Sequence, residues 1–171
     1  HSRLLLVASL VLAGFLGATG LALDKAFRIS AEAAMQERLQ SHIYALLAAS
    51  DEDSDGRMLP PGELPEPRFS EPDSGLYAII TRPDGDTVWQ SGSLTGHDMA
   101  IDGQQLPGKR HFSRLALADR QLYALAFGVA WEDDAGTEAL FTFTVAEDTS
   151  VFESEIDSFR TTLWRWLGGM A

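Results

Sequence analysis

Hydrophobic and polar positions fall into three successive patterns along this chain. Across residues 4–23 nothing is more polar than Ser9 and Thr19. An α-helix rises ~1.5 Å per residue, so this run is ~30 Å long, the thickness of a bilayer's hydrocarbon core. From Asp24 the pattern becomes one-faced. Phe27, Ala31, Met35, Leu39, His42 and Leu46 recur at spacings of three or four, with Arg28, Glu32, Gln36 and Arg38 between them. This predicts an amphipathic helix to about Ala48, continuous with the apolar run, because no proline interrupts the segment before Pro60.

The third pattern has period two. Strands are predicted over 76–81, 87–90, 112–117, 122–131 and 139–146, the first pair joined through Pro83-Asp84-Gly85, where Pro fixes φ and Gly accepts a positive one. In the fourth strand Tyr123, Leu125, Phe127, Val129 and Trp131 alternate with Ala124, Ala126, Gly128 and Ala130; in the fifth, Phe141, Phe143 and Val145 alternate with Thr142 and Thr144. Such alternation predicts an antiparallel sheet with its bulky face in the core, under the membrane-rooted helices. Residues 59–75 hold five of the seven prolines and predict an ordered loop or crossing strap. Residues 91–111 are a mixed polar connection with a short helix around residues 97–101. Ser150-Val151-Phe152-Glu153 is a capping box, and Phe152, Ile156, Phe159 and Leu163 continue as the stripe of a last helix.

Gly20-Leu21-Ala22 is a passable signal-peptidase site, but signal cores usually run ~7–15 residues and this one is longer. An uncleaved span over residues 4–23 is therefore expected. Ser9, Ala13 and Gly17 add a small-residue stripe within it. Residues 163–171 open with Trp164 and Trp166, aromatic residues of the kind found at membrane interfaces, and read as the start of a second span. The expected layout is thus a first transmembrane helix at 4–23, an extracytoplasmic domain at 24–162 and a second span from 163. His at position 1 and the short final apolar run suggest part of a longer membrane protein.

Charge sharpens this picture. All 25 acidic residues lie within 24–162, against 11 basic ones, a net of −14. That surface repels nucleic acid and attracts divalent cations and polycations. The absence of cysteine removes disulfides, thiol catalysis and cysteine-based metal sites. No nucleotide loop, nucleophile elbow or paired-acid signature occurs in 24–162, so no catalysis is expected of this segment.

Two stretches carry a resemblance. They are Ser74-Gly75-Leu76-Tyr77-Ala78-Ile79-Ile80, leading through Pro83-Asp84-Gly85 to Val88-Trp89-Gln90-Ser91, and residues 141–148, leading to Phe159-Arg160-Thr161-Thr162-Leu163-Trp164-Arg165-Trp166-Leu167. Together with the helix–sheet–helix order, the chain resembles the α+β, PAS-like (PDC) extracytoplasmic sensor domains of two-component histidine kinases, and within them the PhoQ-type sensors. The resemblance implies a homodimer in the bacterial inner membrane with a periplasmic sensor domain. It also implies signalling through a kinase region to a cytoplasmic response regulator, and responses to divalent cations, cationic peptides or acidity. Enteric members carry a long acidic helical insertion between the middle strands, and here the corresponding connections are short, leaving Glu132-Asp133-Asp134 in a turn.

Metal chemistry has two candidates. Asp51-x-Asp53-x-Asp55-Gly56 reproduces the opening of an EF-hand loop, three carboxylates at alternate positions and a glycine for the sharp turn. Its second half fails, since Gly62 stands where a bidentate Glu is needed and Pro60-Pro61 block the exiting helix. Glu132, Asp133 and Asp134, with Glu138 nearby, form a second acidic cluster on a predicted hairpin turn. Both are expected to be accessible and to bind Ca²⁺ or Mg²⁺ weakly, or else to be ordinary solvated charge. Trp89 and Trp131 suit packing better than ligand cages, and His42, His97 and His111 lack ligand spacing. Two other readings remain: a PAS-like small-metabolite sensor of another kinase or chemoreceptor, with a polar pocket beside Tyr77 or Tyr123, and a non-sensing membrane-anchored structural module.

Overall fold

The computed structural model describes residues 2–62, 64, 66–99, 103–150, 161, 162 and 165. Helix α1 spans Ser2–Ala49 as one element. Its first part contains, among the described residues, one stretch long and apolar enough to cross a membrane, with Leu6, Leu10 and Phe15 all exposed. The chain divides into two compact units, one of Met35–Ser150 and one of His1–Ala34 with Val151–Ala171. The capping box beyond Ser150, the stripe Phe152, Ile156, Phe159 and Leu163, and most of residues 163–171 lie outside the described residues; Thr161, Thr162 and Arg165 are helical.

Within Met35–Ser150 a small hairpin comes first, β1 (Asp51–Glu52) with β2 (Met58–Leu59). A larger sheet follows: β3 (Leu76–Thr81), β4 (Thr87–Gln90), β5 (Arg110–Leu117), β6 (Arg120–Glu132) and β7 (Glu138–Asp148). Its order is β4-β3-β7-β6-β5, antiparallel throughout. Every predicted strand is present with ends within two residues of those expected. A long N-terminal helix and a five-stranded antiparallel sheet make an α+β architecture of PAS-like form. The described part of the Pro-rich segment, which leaves out residues 63 and 65, is an ordered loop as expected. It carries a short 3₁₀ turn at Pro67–Phe69 that buries Phe69 completely.

The sheet departs from expectation in being covered on both faces. Tyr123, Leu125, Phe141, Phe143 and Val145 are buried on the face toward α1, with Met35, Leu39, Ile43 and Leu46 of that helix. The opposite face has its own core: Tyr77, Ile79, Leu94, Met99, Leu117, Leu122, Ala124 and Ala146. Ala124, Ala126 and Gly128 of β6 therefore face protein rather than water, while Ala130 is exposed. The connection between β4 and β5 crosses there and bridges Pro107 to Gly128, with Gly108 N donating to Gly128 O at 2.8 Å and Gly128 N to Lys109 O at 3.0 Å. A Cβ on Gly128 would overlap the carbonyls of Gln105 and Leu106, so glycine is what lets the strap lie so close. In the same connection a short helical turn forms at Gly92–Leu94; of the helix expected around residues 97–101, His97–Met99 has no regular structure and residues 100 and 101 lie outside the described residues. Phe127 is only half-buried, edge-on to exposed Tyr44 at 6.2 Å, so Phe143, fully buried, is the stronger core residue. Each fully buried side chain of that size contributes ~1.5–3 kcal/mol.

Candidate functional site

Asp53-Ser54-Asp55-Gly56-Arg57 and Asp133-Asp134-Ala135-Gly136-Thr137 fold into the same turn. In the first, Asp53 Oδ1 accepts from Asp55 N and Arg57 N, both at 2.9 Å. In the second, Asp133 Oδ1 accepts from Ala135 N at 3.0 Å and Thr137 N at 2.8 Å. Each turn closes with a glycine at positive φ, Gly56 at 76° and Gly136 at 78°. The aspartate mimics a backbone turn and the glycine takes the left-handed position at no steric cost. The two backbone amides hold the Asp53 carboxylate below its usual range, so it stays charged further into acid.

The two turns, about eighty residues apart in sequence, are packed against one another. Asp134 N donates to Asp55 O at 3.2 Å, and the Trp131 indole N–H donates to Gly56 O at 3.1 Å. A Cβ on Gly56 would come within 2.7 Å of Asp134 N. The separately predicted clusters thus form one acidic patch, with Asp51, Asp55, Glu132 and Asp134 exposed and Asp53 and Asp133 partly covered. Asp51 Oδ1 accepts from its neighbour's amide, Glu52 N, at 2.9 Å, and Asp55 pairs with Arg57 at 3.2 Å. The carboxylates do not converge: among the described residues no three His, Asp or Glu side chains are grouped to hold a metal ion.

A second charged site went unread in the sequence. Glu147, near the end of β7, is 6% exposed. Its Oε1 accepts from Arg68 Nη1 at 3.0 Å, and its Oε2 lies 3.0 Å from Arg38 Nε as an ion pair without hydrogen-bond alignment. The carboxylate therefore joins α1, the Pro-rich strap and the sheet. Beside it, His42 of α1 meets Phe69 edge-on with centroids 5.7 Å apart. Burial lowers the His42 pKa, opposed by the charges of Glu147 and Glu66 and reinforced by Arg68 and Arg38. Only the inward position of Glu147 in the β7 alternation, opposite Tyr123, could have flagged it.

The remaining sequence candidates are structural. Trp131 is half-buried against the Gly56 turn and Trp89 half-buried on β4. His97 pairs with Asp73 at 2.8 Å, and His111 is exposed on β5. Tyr77 is fully buried with its hydroxyl accepting from Arg120 at 3.2 Å, and Tyr123 accepts from Arg114 at 2.6 Å.

Comparison with known proteins gives a consistent direction. No family model matches the chain, and no solved structure matches it. The curated two-component sensor PhoQ of Pseudomonas aeruginosa is 29% identical over 171 residues, 98% of this chain. The chain spans about a third of that relative's length, 37%. Its likeness to a PhoQ-type sensor, first read from two stretches of sequence, therefore extends along nearly the whole chain.

Proposed function

We propose that this chain is the extracytoplasmic sensing segment of an inner-membrane two-component histidine kinase, and that its signal includes divalent cations drawn to the acidic patch. The observation that carries the reading is the packing of the Asp53 and Asp133 turns into one exposed, predominantly acidic surface. The reading does not require chelation. With Asp53 and Asp133 engaged as turn acceptors, cations collect in the field of the patch, and divalent ions do so more strongly than monovalent ones. Their effect is to relieve repulsion between two loops held together by backbone hydrogen bonds. A ligand shifts a conformational equilibrium only by binding one arrangement better. Here the two arrangements would differ in how closely the turns approach, and β6 and β7 lead from the patch toward Glu147 and its arginine on α1. Cationic peptides would use the same surface, and a homodimer in the membrane fits the proposal.

The test uses the full-length protein of which this chain is part, reconstituted in lipid vesicles. Autophosphorylation should respond to millimolar Mg²⁺ or Ca²⁺ on the sensor side more than to NaCl at matched ionic strength. That difference should vanish when Asp51, Asp55 and Asp134 are all changed to Asn. An equal response to both salts defeats the cation reading, and a protein that transfers no phosphate defeats the kinase assignment. Acidity is a second reading, favoured by His42 beside Glu147; it predicts a response that His42→Gln removes and the three Asn changes leave intact.

A further inference from the structure

A hollow of about 370 Å³ lies beside the β3–β4 hairpin, on the sheet face crossed by the strap. Its floor is made by Ile79, Thr81 and Met99, each buried. Ile79 and Met99 belong to the same apolar cluster as Tyr77. Its rim is polar and open: Arg82, Asp84 and Gln104 are exposed. A volume of this order lies in the range of small-molecule sites, ~300–1,000 Å³, and the lining is mixed, with Ile79 and Met99 beside the hydroxyl of Thr81.

The rim is set apart by what its charges lack. Among the described residues of Met35–Ser150, Arg38 and Arg68 pair with Glu147, Arg57 with Asp55 and Arg120 with Asp148. Arg110 donates to Gln40 and Arg114 to Tyr123. Arg82 alone of these arginines has no side-chain partner among the described residues. In a chain of net charge −12 an unpaired guanidinium is conspicuous, and its planar fork suits a carboxylate. Two residues on, Asp84 uses Oδ1 to accept from Asp86 N at 3.0 Å, closing the hairpin turn, and keeps its other oxygen for a cation. A positive and a negative group thus share the rim of one hollow whose floor is partly apolar, through Ile79 and Met99.

We propose that this hollow binds a free α-amino acid with an apolar side chain. The carboxylate meets Arg82, the ammonium meets Asp84, and the side chain rests on Ile79 and Met99. The site uses none of the residues of the acidic patch, so it stands or falls separately from cation sensing.

The chain is purified in detergent micelles and titrated calorimetrically with L-leucine, L-methionine, L-valine and L-phenylalanine, then with isovalerate and isoamylamine, which each carry only one of the two charges. Saturable binding of at least one amino acid is expected, with both single-charge analogues weaker by about tenfold or more. Arg82→Gln and Asp84→Asn should each weaken amino-acid binding by a similar factor. Both side chains are exposed, and an unchanged unfolding temperature confirms that each variant folds. The proposal is overturned if no amino acid in the panel binds, if binding is unaffected by both variants, or if isovalerate binds as tightly as the amino acids, which would make this a simple carboxylate site.

Discussion

The acidic patch and the Glu147 cluster use the same functional group in opposite ways. In the patch, carboxylates from two turns crowd together at the surface, and their basic neighbour among the described residues is the exposed Arg57, which pairs with Asp55 and also acts on Asp53. At Glu147 a single carboxylate is almost wholly buried and meets two arginines from different parts of the chain. The first arrangement leaves charge unbalanced and reachable, so it can answer to ions in solution. The second has spent its charge on joining a helix, a strap and a sheet. A carboxylate's role is thus read from its surroundings, and net charge says little about which carboxylates are free to act.

Changing Glu147 should have the largest effect. Glu147→Ala should destabilise the domain by about 3 kcal/mol, at the low end for a broken buried ion pair because both arginines are partly exposed and can rehydrate. Urea denaturation would measure it, and a loss under ~0.5 kcal/mol would place Glu147 with the surface carboxylates.

Gly56→Ala comes next. It forces a side chain into the left-handed region and against Asp134 N, at a cost of about 2 kcal/mol. It should also separate the two turns, seen as increased amide exchange at Asp134. Protection retained there would mean that the turns do not depend on each other.

His42 gives a smaller, pH-dependent effect. Its folded pKa is lowered below 6.5, so the unfolded chain binds the proton more readily. The contribution to stability is then fully present above pH 6.5 and is lost as pH falls through the lower folded value. His42→Gln should flatten the acid side of the stability profile. A slope unchanged between pH 7 and pH 5 would assign the acid sensitivity to other groups.

The smallest effect on stability belongs to the patch itself. Changing Asp51, Asp55 and Asp134 together to Asn should alter stability in low salt by no more than ~0.5 kcal/mol, and in the stabilising direction, since repulsion is removed. Thermal unfolding in low-salt buffer reads this directly, and a loss above 1 kcal/mol would show that these carboxylates hold structure, as Glu147 does.

Most of the fold was legible because the alternation in β6 and β7 is regular and the turn residues Pro83, Asp84 and Gly85 are explicit. The second core was missed for a physical reason. Ala124, Ala126 and Gly128 look like a solvent face when small is equated with exposed, whereas they are small because the strap lies directly over them. The joining of the two acidic turns was also illegible. It depends on a contact between Asp55 and Asp134, and neither turn predicts the other's position. Their shared shape was visible in retrospect, since Asp-x-x-Gly recurs at Asp53 and Asp133. The ion pair at Glu147 needed knowledge of where Arg38 and Arg68 would arrive.

The sheet has two edges, and they are protected differently. β4 is four residues long, with a register irregularity where it pairs with β3. β5 is eight residues long and carries Arg110 and Arg114 along the outermost position of the sheet. A long strand with unpaired backbone groups would otherwise be a template for another chain, and charged side chains on it raise the cost of such pairing. Two copies brought together would therefore meet like charges at β5 and little backbone at β4. A high local concentration of the domain therefore need not make its sheets grow into one another.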